Sequence, residues 1–563
     1  MIVEPSSSRR AAFSRWAALV VAALLLFYAL LILIESIIFL AGGRLQSTVV
    51  PVALAAAILF YLVVGRKSLK LERKALLAGL AAILLFSTAA SLFSSYMIDL
   101  SWDGRDYQQR AIRRLAEGWN PVYTELQPAD LYYNAWLNHY PRATWIASAA
   151  LFTFTGNVEV GKVFNLLLMA AVFLAGLATL LLFPRLSVPS AVLLSLALAA
   201  NPVSVYQSMS YYVDGQVSSI FILLGLLMLL ALKRHDWAIW TALACAALVG
   251  LNIKFTGTVY VVTLLAALAL VHWIVKPNLK AQLPLWAALA AGCLLGVFVV
   301  GFNPYVTNLM NYGHPFYPIY GSQELNQDYI VGQQMPSNFR NKSQLRKLYL
   351  SVFSRSQNTY NQKTGPLKNP FSVSLAEIKT FKQVDVRVGG WGPLFGAMLI
   401  LAGGVLALAL LEWKGKLWVP LGLIVLVFGT ALLNPEVWWA RYSPQLWLVP
   451  LVAAAAALFC SRRVIQAAGM ALLAVSLINL SLVTGAYFTA SFSATRQVRL
   501  TLEQLSQSGR PIEVYYGALD AVTTKLDEYN IPYPPMPSLE SLHCPKELEP
   551  DNFYSGDCSK GFQ

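Results

Sequence analysis

Long apolar runs recur along this sequence as far as about residue 487, and they constrain its fold more than any other feature. A helix needs about 20 consecutive apolar residues to cross the hydrocarbon core of a bilayer. The runs lie at about 16–41, 49–64, 75–95, 160–182, 188–205, 216–232, 237–251, 258–274, 284–302, 393–411, 417–433, 443–459 and 464–487. The sequence therefore predicts an all-α polytopic membrane protein with about 13 transmembrane helices.

Basic clusters set the orientation of these predicted helices. Short loops rich in Lys and Arg stay on the cytoplasmic side of a membrane, and prominent clusters are Arg66–Lys74 and Arg462-Arg463. This places the N-terminus inside and the C-terminus outside, with exterior loops at about 96–143 and 303–390. The run at 16–41 is too long for a signal-peptide core, so we expect it to be retained as the first helix.

The basic balance of the chain raises nucleic acid as a partner. Its net charge is +14, but the Lys and Arg residues stand in short clusters between apolar runs, where membrane orientation accounts for them. The sequence also has no Walker motif, no Gly-rich dinucleotide loop and no Cys/His cluster with zinc spacing. We therefore expect membrane lipids, and no nucleic acid, among its partners.

The last part of the chain, 488–563, has the composition of a small soluble α/β region that follows a membrane core at 1–487. Alternation at Ile512–Tyr516 predicts a strand, and a helical stretch and a Pro-rich coil follow it. Because an exterior compartment is oxidising, we expect Cys544 and Cys558 to form a disulfide.

An acid-rich stretch, Asp99–Tyr107, follows directly on the third predicted helix. Asp103 and Asp106 are three residues apart, so a helix that opens near Asp103 carries both on one face of its first turn. The plainer interpretation is a solvated loop in which Asp103 is a helix N-cap and Asp99 caps the preceding turn. Three carboxylates at the mouth of a membrane favour a functional site.

A shorter apolar run at 144–156 follows the first exterior loop. It is too short to cross a bilayer, so we expect a helix that lies on the outer surface or dips into it. His139 and Arg142 precede this run. They either anchor it at the interface or contact an anionic head group.

Ionisable residues at the ends of apolar runs are functional candidates by default. Asp214 begins one run and either caps its helix or lines the same cavity as Asp103. Lys254 follows the run at 237–251 and either snorkels to the interface or points into a cavity.

Arg441 lies between two late apolar runs, among aromatic residues and with Glu436 as a nearby partner. A planar guanidinium suits bidentate contact with a phosphate. Trp438, Trp439 and Tyr442 are explained equally well as an interfacial aromatic belt. Carboxylates for base chemistry and cations for a phosphate, on one side of a membrane, suggest transfer from a lipid phosphate.

With these residues the sequence resembles the GT-C superfamily of integral-membrane glycosyltransferases, which take sugars from polyprenyl-phosphate carriers. The resemblance extends over roughly Ala75 to Tyr487. It rests on an acidic first exterior loop (Trp102–Tyr107, then Gly118–Pro121), a short helix after a His/Pro segment, an exterior stretch at Asn311–Pro318, and Arg441-Tyr442.

The resemblance implies a helical membrane core with an exterior cavity and transfer that inverts the anomeric centre. It implies catalysis by Asp103 and Asp106. The substrate-binding residues predicted with it are Asp99, Tyr107, His139, Arg142, Asp214, Lys254, His314, Arg441 and Tyr442. Gly104 stands where many members have a second acid, which leaves open whether Asp106 or Asp99 replaces it and whether a divalent cation is bound.

We therefore expect a glycosyltransferase that moves a monosaccharide from a polyprenyl-phosphate-sugar donor to a glycan, lipid or protein acceptor at the exterior face of a bacterial inner membrane. A transporter or flippase is one alternative, although such proteins usually show repeat symmetry. A glycan polymerase or ligase that uses a polyprenyl-diphosphate oligosaccharide is the other.

Overall fold

The computed structural model describes residues 8–128, 132–275, 279–322, 325, 332, 334–413 and 418–556. The chain is mostly helical, with one small sheet near its C-terminal end. This agrees with the predicted helical membrane protein carrying a small α/β region.

The first half of the molecule consists of helices that pack side by side around one large apolar core. They are α1 (Ser8–Leu40), α2 (Val49–Val63), α3 (Arg73–Tyr96), α4 (Gln109–Ala116), α5 (Tyr132–His139), α6 (Ala143–Thr155), α7 (Val163–Leu180), α8 (Val188–Ala199), α9 (Pro202–Tyr206), α10 (Asp214–Ala231), α11 (Trp237–Ile253), α12 (Phe255–Val275), α13 (Leu279–Leu295) and α14 (Thr307–Tyr312).

The second half adds two short helices from the long exterior loop, four long or apolar helices, and the C-terminal region. The elements are α15 (Gln344–Phe353), α16 (Leu375–Thr380), α17 (Phe395–Trp413), α18 (Trp418–Leu432), α19 (Leu448–Leu458), α20 (Arg463–Ser508), β1 (Val514–Tyr515), α21 (Val522–Glu528), β2 (Pro545–Glu549) and β3 (Asn552–Ser555).

Eight helices in the described part of the chain are long and apolar enough to cross a membrane. They are Arg9–Leu40, Val49–Ser68, Arg73–Tyr96, Val158–Leu180, Asp214–Ala231, Gln282–Val300, Phe395–Trp413 and Arg463–Ser508. Helices α8, α11, α12, α18 and α19 stand where the remaining predicted runs lie, but their described apolar stretches are shorter. Eight candidate spans are therefore established, and thirteen crossings stay a prediction.

Helix α6 does not lie on an outer surface as the short run at 144–156 predicts. Every residue from Ala143 to Leu151 is buried, and the helix packs against α1, α4 and α11. Its length is too short for a span, but neighbouring helices cover its first nine residues. The physical reason is its composition: seven of those nine buried residues are apolar or Ala, with no charge to face water.

The predicted start of the C-terminal region, residue 488, lies inside a long helix. Helix α20 continues without a break to Ser508 and ends where Gly509 takes a left-handed conformation (φ +60°). The remaining chain forms an antiparallel sheet of order β1-β3-β2 with α21 packed beside it. We call residues 509–556 the appendage. Val498 and Leu502 of α20 share its small apolar core, so the end of the helix packs against the appendage.

The predicted disulfide falls partly outside the described chain. Cys544 is disulfide-bonded, whereas Cys558 lies beyond the described residues. The free thiols among the described cysteines are Cys245, Cys293 and Cys460. The pairing of Cys544 with Cys558 stays a prediction.

Candidate functional site

Five charged side chains from distant parts of the sequence meet at one end of the helical bundle. Asp103 precedes a stretch of π-helix, Gly104–Gln108, that leads into α4. Asp214 is the first residue of α10, and Lys254 is the single residue between α11 and α12. Asp385 lies in the loop before α17, and Arg441 lies in a turn before α19. Each residue stands at a helix end or in a connecting loop, where polar groups face a cavity at little cost.

Arg441 is the centre of this group. Its Nη2 lies 3.0 Å from an Asp103 oxygen, its Nε lies 3.0 Å from Asp214, and its Nη1 lies 3.5 Å from Asp385. Burial alone lowers the pKa of Arg441, but the three carboxylates outweigh it and raise this pKa well above its ordinary value. The guanidinium is therefore a permanent cation held in one position.

A second cation and several aromatic rings complete the site. Lys254 Nζ lies 2.6 Å from the other oxygen of Asp214 and 4.5 Å from the centre of the Tyr442 ring. The Arg441 guanidinium lies over Tyr212, 4.5 Å from the ring centre. Lys254 thus does not snorkel: it is buried and paired, and cation–π contact adds to its stabilisation.

The three carboxylates differ in how open they are. The side chain of Asp103 is 23% exposed, that of Asp385 is 12% exposed, and that of Asp214 is 2% exposed. Gln207 also donates to Asp214, and Trp439 Nε1 donates to Asp385 at 2.7 Å. Asp103 is consequently the carboxylate of this group best placed to meet a molecule from outside.

Asp103 does not cap the helix that it precedes. No hydrogen bond from the helix reaches its side chain, which instead contacts Arg441. Gly104 has a steric reason to lack a side chain, since a Cβ there would lie 2.1 Å from Asp99 Oδ2. An acid at position 104 has no room in this fold.

Asp99 lies outside the site. Its two oxygens accept the backbone N–H groups of Ser101 and Tyr211, and its own N–H donates to Glu159. Burial raises the pKa of Asp99, and Lys162 opposes that effect. The prediction that Asp99 binds substrate is not supported, because its acceptor positions are used within the fold.

Asp106 and Tyr107 border the site. The charged neighbours of Asp106 are Asp103, Arg110 and Asp520, and burial together with the two acids raises its pKa to about 6. Tyr107 is buried with its ring edge against Trp145, and its electrostatic neighbours include Asp103 and Arg441. Asp106 therefore lies on the side of Asp103 that faces the appendage.

His139 and Arg142 are used to hold exterior segments together. His139 Nδ1 lies 3.0 Å from the Asn308 side chain, and burial lowers its pKa. Arg142 donates to Asn303 and to the carbonyls of Leu137 and Asn138, and burial lowers its pKa to about 9. The hydrogen bonds of both side chains thus join exterior segments of the fold, and their contact with an anionic head group stays a prediction.

His314 lies beside an apolar cavity of about 280 Å³ that adjoins the site. Its Nδ1 accepts the Phe316 N–H. The cavity is also lined by Phe255, which follows Lys254, and by Tyr260, whose hydroxyl donates to the Tyr442 carbonyl. One residue predicted to bind substrate thus lines a space next to the charged group.

The aromatic residues near Arg441 are not an interfacial belt. Trp438 and Trp439 are buried, at 0% and 1% exposure, and donate to Glu436 and Asp385. Glu436 is therefore committed to Trp438 and to Lys347 at 3.5 Å, and it is not the partner of Arg441 that the sequence suggests.

The arrangement does not fit a metal ion. A guanidinium occupies the point on which Asp103, Asp214 and Asp385 converge. The described residues contain no group of three or more His, Cys, Asp or Glu side chains placed to hold a metal. We therefore derive no step through a divalent cation.

Asp385 is the one charged member of the site that sequence reasoning missed. It lies in the long exterior loop, without a motif to mark it. A usable signal did exist: residues 334–392 contain ten Lys or Arg and only two acids, Glu377 and Asp385. No protein-family model matches the chain, and no curated protein matches it either.

Proposed function

We propose that this membrane protein is a glycosyltransferase of the GT-C type, which transfers a monosaccharide from a polyprenyl-phosphate-sugar donor to an acceptor hydroxyl. The observation that carries the proposal is the group around Arg441. It joins a fixed cation, suited to a phosphate, with a partly exposed carboxylate 3.0 Å away, suited to accept a proton. Both stand at the end of an apolar helical bundle, where a lipid-borne donor presents its head group.

Arg441 is the residue to which we assign the donor phosphate. In the described state its Nη2 is paired with Asp103. A phosphate that binds the same edge of the guanidinium competes with that carboxylate. Donor binding then releases Asp103 from its ion pair at the moment when a base is needed.

Asp103 is the residue to which we assign the proton. The acceptor oxygen bonds to the anomeric carbon of the sugar while the bond from that carbon to the phosphate oxygen breaks. Polyprenyl phosphate leaves, and the acceptor's proton passes to the Asp103 carboxylate. Attack from the face opposite the phosphate inverts the anomeric centre, as the resemblance implies.

The cavity beside the site suits the polyprenyl chain. Its lining is mainly apolar and aromatic, from α12, from the His314 segment and from the residues after α18. Two of its lining residues connect it to the site. Phe255 follows Lys254 in the chain, and the Tyr260 hydroxyl donates to the carbonyl of Tyr442, the residue after Arg441. A lipid seated there brings its phosphate toward the two cations.

We further propose that this end of the bundle faces the exterior of a bacterial inner membrane. Under the predicted orientation α3, α11 and α18 end outside, and α10, α12 and α17 begin outside. Every residue of the Arg441 group therefore lies on that side. A cysteine introduced at Gly509 should react with a membrane-impermeant maleimide in intact cells; reaction only after the cytoplasm is opened would reverse the orientation.

The function is tested by incubating the purified protein in nanodiscs with a panel of polyprenyl-phosphate monosaccharides and candidate acceptors. Mass spectrometry should detect polyprenyl phosphate and a glycosylated acceptor for at least one donor. Movement of an unchanged lipid or solute across the membrane, without loss of sugar, would favour a transporter. Consumption of only diphosphate-linked oligosaccharides would favour a polymerase or ligase.

A further inference from the structure

Residues 334–392, a described part of the long exterior loop, present only positive charge at their exposed surface. Within residues 334–392 both acids point inward: Glu377 is buried and paired with Lys368 Nζ, and Asp385 lies in the Arg441 group. The exposed charged residues in this range are all basic: Arg340, Lys342, Arg346, Arg355, Lys363, Lys379 and Lys382. Such a surface attracts anions within a Debye length, which is about 8 Å at physiological salt.

Several of these cations are held near one another by loop-to-loop contacts. Arg340 donates to Asn361 at 2.7 Å, and Asn338 donates to Thr364, which fixes the segment that carries Lys363. Lys382 precedes Gln383, whose side chain accepts a hydrogen bond from Asn358. The three basic residues Arg340, Lys363 and Lys382, which we call the basic face, therefore belong to one packed lobe.

Arg387 connects this lobe to the site. It donates to Asn358 at 2.7 Å and lies over the Tyr360 ring. Its guanidinium also lies 3.8 Å from Asp385 and 5.1 Å from the centre of the Trp439 ring. Its Nε is buried and has no hydrogen-bond partner among the described residues. Positive charge thus continues from the outside of the loop to the edge of the Arg441 group.

We propose that the acceptor is an anionic glycan or glycolipid, and that the basic face binds its phosphate or carboxylate groups while Arg387 holds the acidic group nearest the reacting hydroxyl. The inference rests on the proposed function and names the acceptor class. The donor does not account for the charge, because its single phosphate is matched by Arg441 and Lys254. An anionic membrane surface is the competing explanation, and the experiment separates it.

The test uses a fluorescently labelled oligosaccharide that carries phosphate monoesters, and its dephosphorylated twin, with the full-length protein in nanodiscs of uncharged phosphatidylcholine. Wild-type protein should bind the phosphorylated probe more tightly than the twin. The variant Arg340→Gln/Lys363→Gln/Lys382→Gln should lose about tenfold in affinity for the phosphorylated probe at low salt. The variant Arg387→Gln should also reduce the ratio between the affinities for the phosphorylated probe and for its twin.

The matched control removes three exposed cations elsewhere on the predicted exterior side: Arg44→Gln/Arg496→Gln/Arg510→Gln. It should bind both probes like wild type. The inference would be overturned if this control lost as much affinity as the basic-face variant, or if the basic-face variant kept its affinity. It would also be overturned if the basic-face variant lost affinity only in nanodiscs of anionic lipid, and that result would assign the surface to the membrane. The probe-binding measurement needs no turnover, whereas release of polyprenyl phosphate by wild-type protein tests the proposed function, so a failure of this inference is distinguishable from a failure of the proposed function.

Discussion

Two groups of three acids and three cations lie close together in this molecule, and they differ in openness. The first is the site together with the adjoining Arg387, where Asp103, Asp214 and Asp385 face Arg441, Lys254 and Arg387. The second lies between the membrane core and the appendage, and we call it the appendage network. Its members are Asp99, Glu159, Glu549, Lys162, Lys525 and Arg105.

The appendage network is closed to solvent. Lys162 lies 2.6 Å from Glu159, and Lys525 lies 3.1 Å from Glu549 and 3.5 Å from Glu159. The paired side chains are only 0–3% exposed, whereas Asp103 in the site is 23% exposed. The two groups have the same charge content and differ in their access to solvent.

The comparison also explains how the appendage affects the site. Arg105 donates to Asn552 and Pro550 of the appendage, and Arg110 pairs with Asp520 at 3.0 Å. These contacts hold the helix that begins just after Asp103. The appendage network therefore positions the carboxylate to which the chemistry is assigned, without touching a substrate.

The largest expected effect distinguishes two acids that are four residues apart. Asp103→Asn keeps the shape but removes the base, so turnover should fall by about 10²- to 10⁴-fold with the melting temperature nearly unchanged. Asp99→Asn should instead lower the melting temperature, because the carboxylate that accepts two backbone N–H groups is lost. Turnover and thermal melting are measured on the same preparations; the opposite pattern would exchange the two roles.

Arg441→Lys should have the next largest effect. The lysine keeps the charge but loses the planar fork that contacts three carboxylates. We expect kcat to fall by about 10²-fold or more while folded protein is recovered normally. Full activity in this variant would mean that Arg441 only anchors the loop.

Lys525→Met tests the appendage network. It leaves Glu159 and Glu549 without one of their buried partners, and breaking such a pair costs about 3–5 kcal/mol. Differential scanning calorimetry should show a lower melting temperature, and limited proteolysis should release the appendage. Arg510→Met, which removes an exposed cation from the same region, is the control and should change neither measurement.

The smallest effect concerns Asp106, whose pKa is raised to about 6, first by burial. The ionised form of Asp106 is disfavoured in the fold, so this charge lowers the free energy of unfolding above about pH 6. That destabilisation is relieved as pH falls from about 6 toward 3.8, the ordinary pKa of the group in the unfolded chain. Protonation of Asp106 removes a negative charge beside Asp103, the carboxylate to which the chemistry is assigned.

The measurement is the pH dependence of kcat/KM between pH 5 and 8. Wild-type kcat/KM should fall as pH drops through about 6. Asp106→Asn should lose that inflection and retain activity within about tenfold of wild type at pH 7. An unchanged inflection in the variant would assign the titration to another group.

The helix positions and four of the five charged members of the site were the predictable part of this molecule. Apolar runs of fixed length predict helix positions directly, because a span must satisfy its own backbone hydrogen bonds. The sequence also singled out Asp103, Asp214, Lys254 and Arg441 as candidates, since ionisable residues at helix ends need a reason.

The remainder depends on contacts that no local pattern encodes. Asp385 reaches Arg441 from a loop 56 residues away in sequence. His139 and Arg142 have the chemistry of binding residues, but loop carbonyls and Asn308 use their hydrogen-bonding capacity. Asp99 differs from Asp103 in that the backbone N–H groups of Ser101 and Tyr211 occupy its acceptor positions.

The central claim is that Asp103 acts as the base and that Arg441, not Asp103, holds the donor. The direct test is a titration of the purified Asp103→Asn variant with the polyprenyl-phosphate sugar that wild type uses, read by calorimetry. The variant should bind the donor as tightly as wild type or more tightly, since the phosphate no longer competes with a carboxylate for Arg441. Donor binding lost in parallel with turnover would contradict the account and make Asp103 a binding residue.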